Sequence, residues 1–309
     1  MRQVVGVVPV VVIGYWVFAH RALLVAGAGQ LLTADVRWLL AACGVTALGW
    51  VAVSLARQGT VLEPLPAGRL LATQFAAGAA NHLLPAGLGA GAVNLRFLQK
   101  CGLPLGRSSA ALALYLLCES VGRCVLLLVL LLAFPGALDL GALHLGRLPS
   151  GLLLPAALAA AGAVAVCAAV LAPAPALRRA LRAYAATAFT DVRSLHARPS
   201  RALALWCGSL GFPALQAAGL VTVTLALRVP VPVGHVAVAY LAASVAAALV
   251  PTPGGLGSVD AALAVALVAA GAHATVATSA VLGFRIITVW LPLVPAAVTL
   301  GALVRRRVV

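Results

Sequence analysis

The sequence predicts an all-α, polytopic membrane protein in which two Pro/Gly-broken hairpins accompany six full spans. Three observations lead to this prediction. Of the 309 residues, 63% are hydrophobic and only 9% are charged, and the mean hydropathy is +1.11. Apolar stretches of membrane-spanning length recur along the chain. Two further stretches are interrupted by nearly the same proline- and glycine-rich string.

Six stretches are predicted to be complete spans, because each approaches or exceeds the roughly 17 residues that a tilted helix needs. They are 4–19, 37–56, 108–133, 152–172, 201–227 and 276–303. The first follows Arg2 and also fits a signal peptide. An uncleaved first span is preferred, because the rest of the chain is polytopic and needs no separate export signal. The chain is expected to form a single transmembrane domain.

The interrupted stretches are 70–99 and 235–271, and their breaks correspond in sequence. The string L-P-A-G-L-G at 84–89 matches T-P-G-G-L-G at 252–257. Proline removes a backbone donor and glycine weakens a helix. A broken helix persists in hydrocarbon only where protein or trapped water surrounds it. Paired breaks in two halves of a membrane protein are typical of a transport site. Accidental similarity in a chain rich in Gly, Ala and Leu is the alternative.

Loop cations distinguish two topologies for these stretches. If both are re-entrant hairpins, fourteen Lys and Arg residues, Arg57 among them, lie with the amino terminus and four lie opposite. If both cross the membrane once, the same eighteen divide ten to eight. The positive-inside rule favours the hairpins and places both termini in the cytoplasm. Two units of opposite orientation result, about 37–133 and 201–303, joined by an Arg-rich cytoplasmic connection at 178–201. This connection is expected to be a solvated or headgroup-facing amphipathic helix, and binding of a specific anionic partner is the alternative.

Composition also limits the classes of function. The net charge is +15, but the basic residues fall mostly between apolar spans, where they set topology and meet anionic headgroups. Nucleic acid is therefore not an expected partner. The six cysteines form no C-x-x-C pair and the six histidines no close pair. The sequence accordingly predicts no metal, cofactor or catalytic residue. The bias toward Arg over Lys indicates a GC-rich bacterial genome, and so a bacterial cell (inner) membrane.

Charged residues inside the spans are candidate site residues, because a charge at a helix centre costs roughly 2.5–3.5 kcal/mol on insertion scales. Glu119 and Arg123 share a helix face, which fits a local ion pair or a headgroup or proton site. Arg285 has the comparable place in the second unit and is predicted to face Glu119. Asp260 either caps the helix that follows the second break or is a counter-charge to Arg285 or to a cationic lipid.

Polar residues also flank the first break. Asn81 and His82 precede it, and Asn94 and Arg96 follow it. Arg96 either extends to the cytoplasmic surface or binds phosphate. His82 is expected to be a hydrogen-bonded core residue rather than a proton relay.

These segments resemble the lysylphosphatidylglycerol synthase transmembrane-region family of flippase-like membrane proteins. The resemblance covers about 30–303 and rests on Asn81-x-x-x-Pro85-x-Gly87-x-Gly89, Arg96, Glu119, P-T-P-G-G-L-G at 251–257, Asp260, L-G-F-R at 282–285 and W-L-P at 290–292. Ser120 stands where the family often has Arg, Arg123 where an acid is frequent, and Asp260 where Glu is common. These departures bear on the headgroup and not on the fold.

The resemblance implies an integral membrane domain that handles phospholipids. In the aminoacyl-lipid synthases of the family, such a domain is associated with moving the modified lipid between leaflets, while a separate soluble domain makes it. This chain looks like the stand-alone form without the transferase domain. The implied partners are membrane phospholipids, anionic or aminoacylated, and a separate lipid-modifying enzyme.

The breaks and charges together predict a polar headgroup cleft and the translocation or scrambling of lipid between leaflets. The ATP-binding pattern G-x-x-x-x-G-K is absent, so gradients or passive scrambling would drive the process. A membrane-embedded lipid-modifying transferase or hydrolase and a non-transporting accessory subunit are the alternatives. The predicted cleft residues are Asn81, His82, Pro85, Gly87, Gly89, Asn94, Arg96, Glu119, Arg123, Pro251, Thr252, Pro253, Gly254, Gly255, Gly257, Asp260 and Arg285.

Overall fold

The computed structural model describes residues 34–83, 88–137, 190, 192–248, 257–306 and 308–309. These residues form helices and short connections with no strand among them, which confirms the all-α prediction for this part of the chain. The helices are α1 Val36–Gly59, α2 Ala67–Leu83, α3 Leu88–Lys100, α4 Leu105–Ala133, α5 Pro199–Ala226, α6 Val233–Ala248, α7 Ser258–Ala269, α8 Ala274–Arg285 and α9 Leu291–Arg305, and the π-helical turn Ile286–Trp290 joins α8 to α9. The predicted spans 4–19 and 152–172, and most of the connection 178–201, lie outside the described residues.

Four helical segments are long and apolar enough to cross a membrane. They are α1, α4, α5 and the continuous segment Ala274–Arg305, with mean hydropathies of 2.0, 2.3, 1.4 and 2.0. They coincide with four of the six predicted spans. The outer face of α4 carries exposed leucines, among them Leu117 at 62% and Leu132 at 75%. So large an apolar surface is suited to hydrocarbon rather than water.

The first interrupted stretch forms a helical hairpin. The Nε2 of Gln74 in α2 donates a 2.7 Å hydrogen bond to Oδ1 of Asn94 in α3. Nearer the break, Gly89 packs against the backbone carbonyl of Ala80. Contacts that start near the break and continue away from it along both arms require the arms to be antiparallel. With 17 and 13 residues, the arms measure roughly 25 and 20 Å, each short of the roughly 30 Å hydrocarbon core.

The second interrupted stretch also forms two short helices that pack on each other. α6 has 16 residues and α7 has 12. Their contact surface belongs to the largest apolar core of the described residues, where Val236, Leu241, Leu263 and Leu267 are almost completely buried. Both stretches that contain a Pro/Gly string therefore fold as pairs of short arms.

Helices α1 and α5 are antiparallel and in close contact along their whole length. The amide of Asp35, before α1, donates to the Ala226 carbonyl at the end of α5, at 3.1 Å. At the other end, Arg201 of α5 donates to the Gln58 carbonyl, also at 3.1 Å. Between these points a Cβ on Gly208 would collide with the backbone of α1. Arg201, counted in the sequence with the loop cations, thus belongs to α5 and binds the end of α1.

The elements of the two halves pack reciprocally. The first arm of each hairpin contacts the last helical segment of the other half, α2 against α9 and α6 against α4. The second arm contacts the last segment of its own half, α3 against α4 and α7 against α8. The helices α1–α4 and α5–α9 are therefore arranged in the same order around the α1–α5 pair.

Candidate functional site

A cavity of about 540 Å³ lies between the two halves, and we call it the central cavity. Helices α1 to α8 and the π-helical turn all contribute to its wall. Its polar side chains in the described residues include Thr46, Arg57, Gln74, Asn81, His82, Asn94, Tyr115, Glu119, Gln216, Tyr240, Arg285 and Thr288. A polar interior within apolar spans indicates a protected hydrophilic site.

The first ion pair at the central cavity lies on α4. Nη2 of Arg123 donates to Oε1 of Glu119, with 22% and 15% of the two side chains exposed. The predicted local ion pair is therefore present, and its carboxylate also lines the cavity. Pairing within one helix lowers the cost of holding both charges away from water.

The second ion pair joins α7 to α8. Nε of Arg285 donates to Oδ1 of Asp260, and Oδ2 of the same carboxylate accepts the Gly257 amide at 2.9 Å. Gly257 has φ +85°, a conformation that suits glycine at this helix start. Both interpretations of Asp260, as a cap and as a counter-charge to Arg285, describe it correctly. Arg285 and Glu119 line the same cavity, but these two ion pairs each lie within one half.

An amide network holds the first hairpin beside the cavity. Asn94 is 2% exposed, accepts from Gln74, and donates from Nδ2 to the Ala90 carbonyl at 2.9 Å. Gly89, predicted to line the cleft, instead lies in the contact between α2 and α3. Gly91, two residues later, lies on the cavity wall. The network thus fixes which face of α3 the cavity contacts.

Arg57 is the functional candidate that the sequence did not identify. We counted Arg57 among the cytoplasmic loop cations, and the loop position was wrong, because Arg57 lies in the last turn of α1, is only 8% exposed and lines the central cavity. Its guanidinium carbon lies 3.7 Å from the centroid of the Tyr115 ring. Its Nε and Nη1 atoms are buried without a hydrogen-bond partner. Side chains on a helix tilt toward its amino terminus, so an arginine in the last turn of α1 can extend back into the bundle.

The family assignment agrees with this architecture. Residues 3–296 match the family model described as the lysylphosphatidylglycerol synthase TM region. The chain belongs to this family. The resemblance found in its motifs is thereby confirmed, and the long apolar helices make this lysylphosphatidylglycerol synthase TM-region protein a multi-pass membrane protein. No curated protein matches the chain.

His82 differs from the sequence-based interpretation in this TM-region protein. It is half-buried on the cavity wall, beside Asn81. Its Nδ1 atom is buried without a hydrogen-bond partner, whereas we expected a hydrogen-bonded core histidine. His82 therefore brings a further unsatisfied polar atom to the cavity.

Arg96 does not contribute to the central cavity of the TM-region protein. It is exposed on α3 and lines a separate groove with Lys100, next to Val304 of α9. This position fits the surface alternative considered for it. The remaining predicted cleft residues lie outside the described residues: Pro85, Gly87, Pro251, Thr252, Pro253, Gly254 and Gly255.

Helical spacing would have revealed the side chains that sequence reasoning missed. Gln74 and Asn81 are seven residues apart on α2, and Trp50 and Arg57 are seven apart on α1. Tyr115 precedes Glu119 by four residues on α4. Residues at these intervals share a helix face. Polar residues in this register on three neighbouring helices predict a common polar wall, which individual motifs do not.

The π-helical turn lies at the edge of the site. It begins immediately after Arg285, and its residues Thr288 and Val289 line the central cavity. The Thr288 hydroxyl donates to the Phe284 carbonyl at 2.7 Å. A π-helical turn inserts one extra residue into the helix, and such insertions are frequent at functional sites.

Proposed function

We propose that this protein translocates or scrambles phospholipids between the leaflets of a bacterial inner membrane. The headgroup occupies the central cavity and the acyl chains remain in the bilayer. The observation that carries the proposal is a charged and amide-lined cavity enclosed by apolar spans. At about 540 Å³, it falls within the roughly 300–1,000 Å³ range of small-molecule sites. Buried polar groups in a membrane protein are costly and most often functional.

Alternating access follows from an inverted repeat of the two halves. The antiparallel contact of α1 with α5 and the reciprocal packing of the hairpin arms support this arrangement. In the proposed arrangement the hairpins α2–α3 and α6–α7 are re-entrant, enter from opposite faces and place the cavity between them. Rocking of one half against the other then opens the cavity to each side in turn.

The proposal includes no chemical conversion of the lipid. Anionic or aminoacylated phospholipids are the substrates, a separate enzyme makes any modified lipid, and gradients or passive equilibration supply the driving force. Both termini and the connection between α3 and α4 are cytoplasmic in this scheme.

Leaflet exchange in liposomes tests the function. The purified full-length protein is reconstituted with labelled phospholipid, and label exposed on the outer leaflet is followed over time. We expect exchange well above protein-free liposomes and about a tenfold loss in E119Q, because a charge-assisted contact is worth about 1.5–3 kcal/mol. E63Q is the matched control, since Glu63, in the loop after α1, pairs with Arg107 of α4 away from the central cavity.

The outcomes separate the three functions. Exchange without new lipid species supports translocation. New lipid products detected by mass spectrometry would identify an enzyme. No exchange, together with a stable protein partner in pull-downs, would identify an accessory subunit.

Cysteine labelling tests the topology separately. Leu105 is 59% exposed at the start of α4, so L105C in a background without native cysteines reports that end of the helix. We expect a membrane-impermeant maleimide to label it from the cytoplasmic side. Labelling from the opposite side would refute the re-entrant hairpin.

A further inference from the structure

Arg57 leaves the central cavity with an unbalanced positive charge. Among the described residues that line the cavity, Glu119 bonds Arg123 and Arg285 bonds Asp260. Arg57 bonds no carboxylate, although Glu119 lies close enough to attract it electrostatically. The Arg57 residue is more than nine-tenths buried, and two of its nitrogens lack an acceptor. Burying an unpaired charge is expensive, so these two donors need an explanation, and an anion bound beside Arg57 would supply one.

The surrounding structure holds Arg57 in place without using its donors. A cation in the last turn of a helix often bonds the final carbonyls of that helix. Here the Gln58 carbonyl accepts from Arg201 at 3.1 Å, and the Arg57 carbonyl accepts the Thr60 hydroxyl at 2.7 Å. The guanidinium instead lies over the Tyr115 ring at 3.7 Å. Stacking on the ring holds the guanidinium without using its hydrogen-bond donors.

The position of Tyr115 along α4 places the Arg57 guanidinium inside the helix bundle. Tyr115 is the eleventh residue of α4, so it lies about 15 Å from the start of that helix at about 1.5 Å per residue. Glu119 is one turn further along the same face and also lines the cavity. A ligand that contacts both Arg57 and Tyr115 therefore lies within the length of α4, one turn from Glu119.

We propose that Arg57, stacked on Tyr115, binds the phosphodiester group of the ligand in the central cavity. A guanidinium presents paired donors that match two oxygens of a phosphate, and such charge-assisted contacts are strong. One negative charge also balances the described charges of the wall. The inference rests on the proposed function, because it names the group by which the translocated lipid is held.

Equilibrium binding to the detergent-solubilised full-length protein tests the proposal. Titration calorimetry compares four probes: dihexanoyl phosphatidylglycerol, dihexanoylglycerol with the same chains and no phosphate, glycerophosphoglycerol, and inorganic phosphate. We expect phosphatidylglycerol to bind more tightly than the other three. R57Q should weaken its binding roughly 10- to 100-fold, the usual worth of a charge-assisted contact. R69Q is the matched control, because Arg69 is exposed on α2.

Thermal unfolding of the ligand-free protein separates binding from a structural role. Removing an unpaired buried charge should leave the melting temperature of R57Q unchanged or raise it. R57K is the second variant; it keeps the charge, loses the paired donors and should weaken phosphatidylglycerol binding by about tenfold. Wild-type affinity for phosphatidylglycerol in R57Q or R57K would overturn the inference, whatever the melting temperature, and would leave lipid translocation standing. A third result is that the wild type binds inorganic phosphate as tightly as phosphatidylglycerol and that R57Q binds neither. This result would support an anion site at Arg57 and count against a lipid as its ligand.

Discussion

Substituting Gly89 with alanine should separate the two arms of the first hairpin. A Cβ at this position would overlap the carbonyl oxygen of Ala80, well inside the 3.0 Å that Cβ contacts respect. The obstructing atom is backbone, so α3 must move away from α2 by on the order of 1 Å. The displacement also stretches the buried Gln74–Asn94 hydrogen bond, now 2.7 Å.

The expected cost of G89A combines both effects. Forced overpacking costs about 1–3 kcal/mol, and a strained buried hydrogen bond adds about 0.5–1.5 kcal/mol. At about 2–4 °C per kcal/mol, the scale for domains of 150–250 residues, the melting temperature should fall by at least several degrees. Scanning fluorimetry of the protein in detergent measures this shift.

Gly91 provides the matched control on the same helix. A Cβ there meets nothing within 4 Å, so G91A should unfold at or above the wild-type temperature, since alanine favours helix by about 1 kcal/mol. Equal melting temperatures for G89A and G91A would refute the close approach of the arms. A lower melting temperature in G91A but not in G89A would mean that the opposite face of α3 packs against α2.

Two further predictions concern ion pairs. D260N keeps an acceptor for the Gly257 amide but removes the carboxylate partner of Arg285, which is 9% exposed, and should lower the free energy of unfolding by about 3 kcal/mol. The double mutant D260N/R285Q should recover part of this loss in thermal unfolding. A double mutant as unstable as the sum of the single changes would contradict the pairing. Burial raises the pKa of Glu63, but hydrogen bonds from the backbone and Arg107 outweigh it and hold the pKa below its usual value. The loop contact therefore stabilises the protein above the unfolded pKa of about 4.3 and is lost as the pH falls through the lower folded value. In melting curves between pH 7 and 3, E63Q should be less stable than the wild type by at most about 1 kcal/mol at neutral pH. The difference should narrow as the pH falls, and a pH-independent difference would argue against the bond.

Hydropathy was sufficient to predict the long helices, because the bilayer imposes both length and composition on a span. The proline- and glycine-rich string at 84–89 likewise predicted that residues 70–99 form two short arms, since proline and glycine interrupt hydrogen bonding within a helix. These features depend on neighbours in the sequence. They can therefore be predicted from short stretches of sequence.

The orientation of individual side chains was not predictable in the same way. An arginine after an apolar run has the same local pattern whether it faces water or a cavity. The inward position of Arg57 depends on Tyr115, which belongs to a different helix. Gly89 and Gly91 are only two residues apart in the sequence, but residues two apart on a helix point to nearly opposite faces. Gly89 therefore packs against α2, whereas Gly91 lines the cavity.

The close contact of α1 with α5 limits the movement of the two halves that the proposed function requires. A side chain at Gly59 or Gly208 would strike the backbone of the opposite helix, so no gap for a lipid exists along this seam. A movement that preserves this contact between α1 and α5 is a rotation of the two halves about the long axis of the helix pair. The second hairpin arms α3 and α7, which pack mainly on other helices, then travel furthest. In the proposed function, the entrance for a lipid therefore opens on the side opposite the seam.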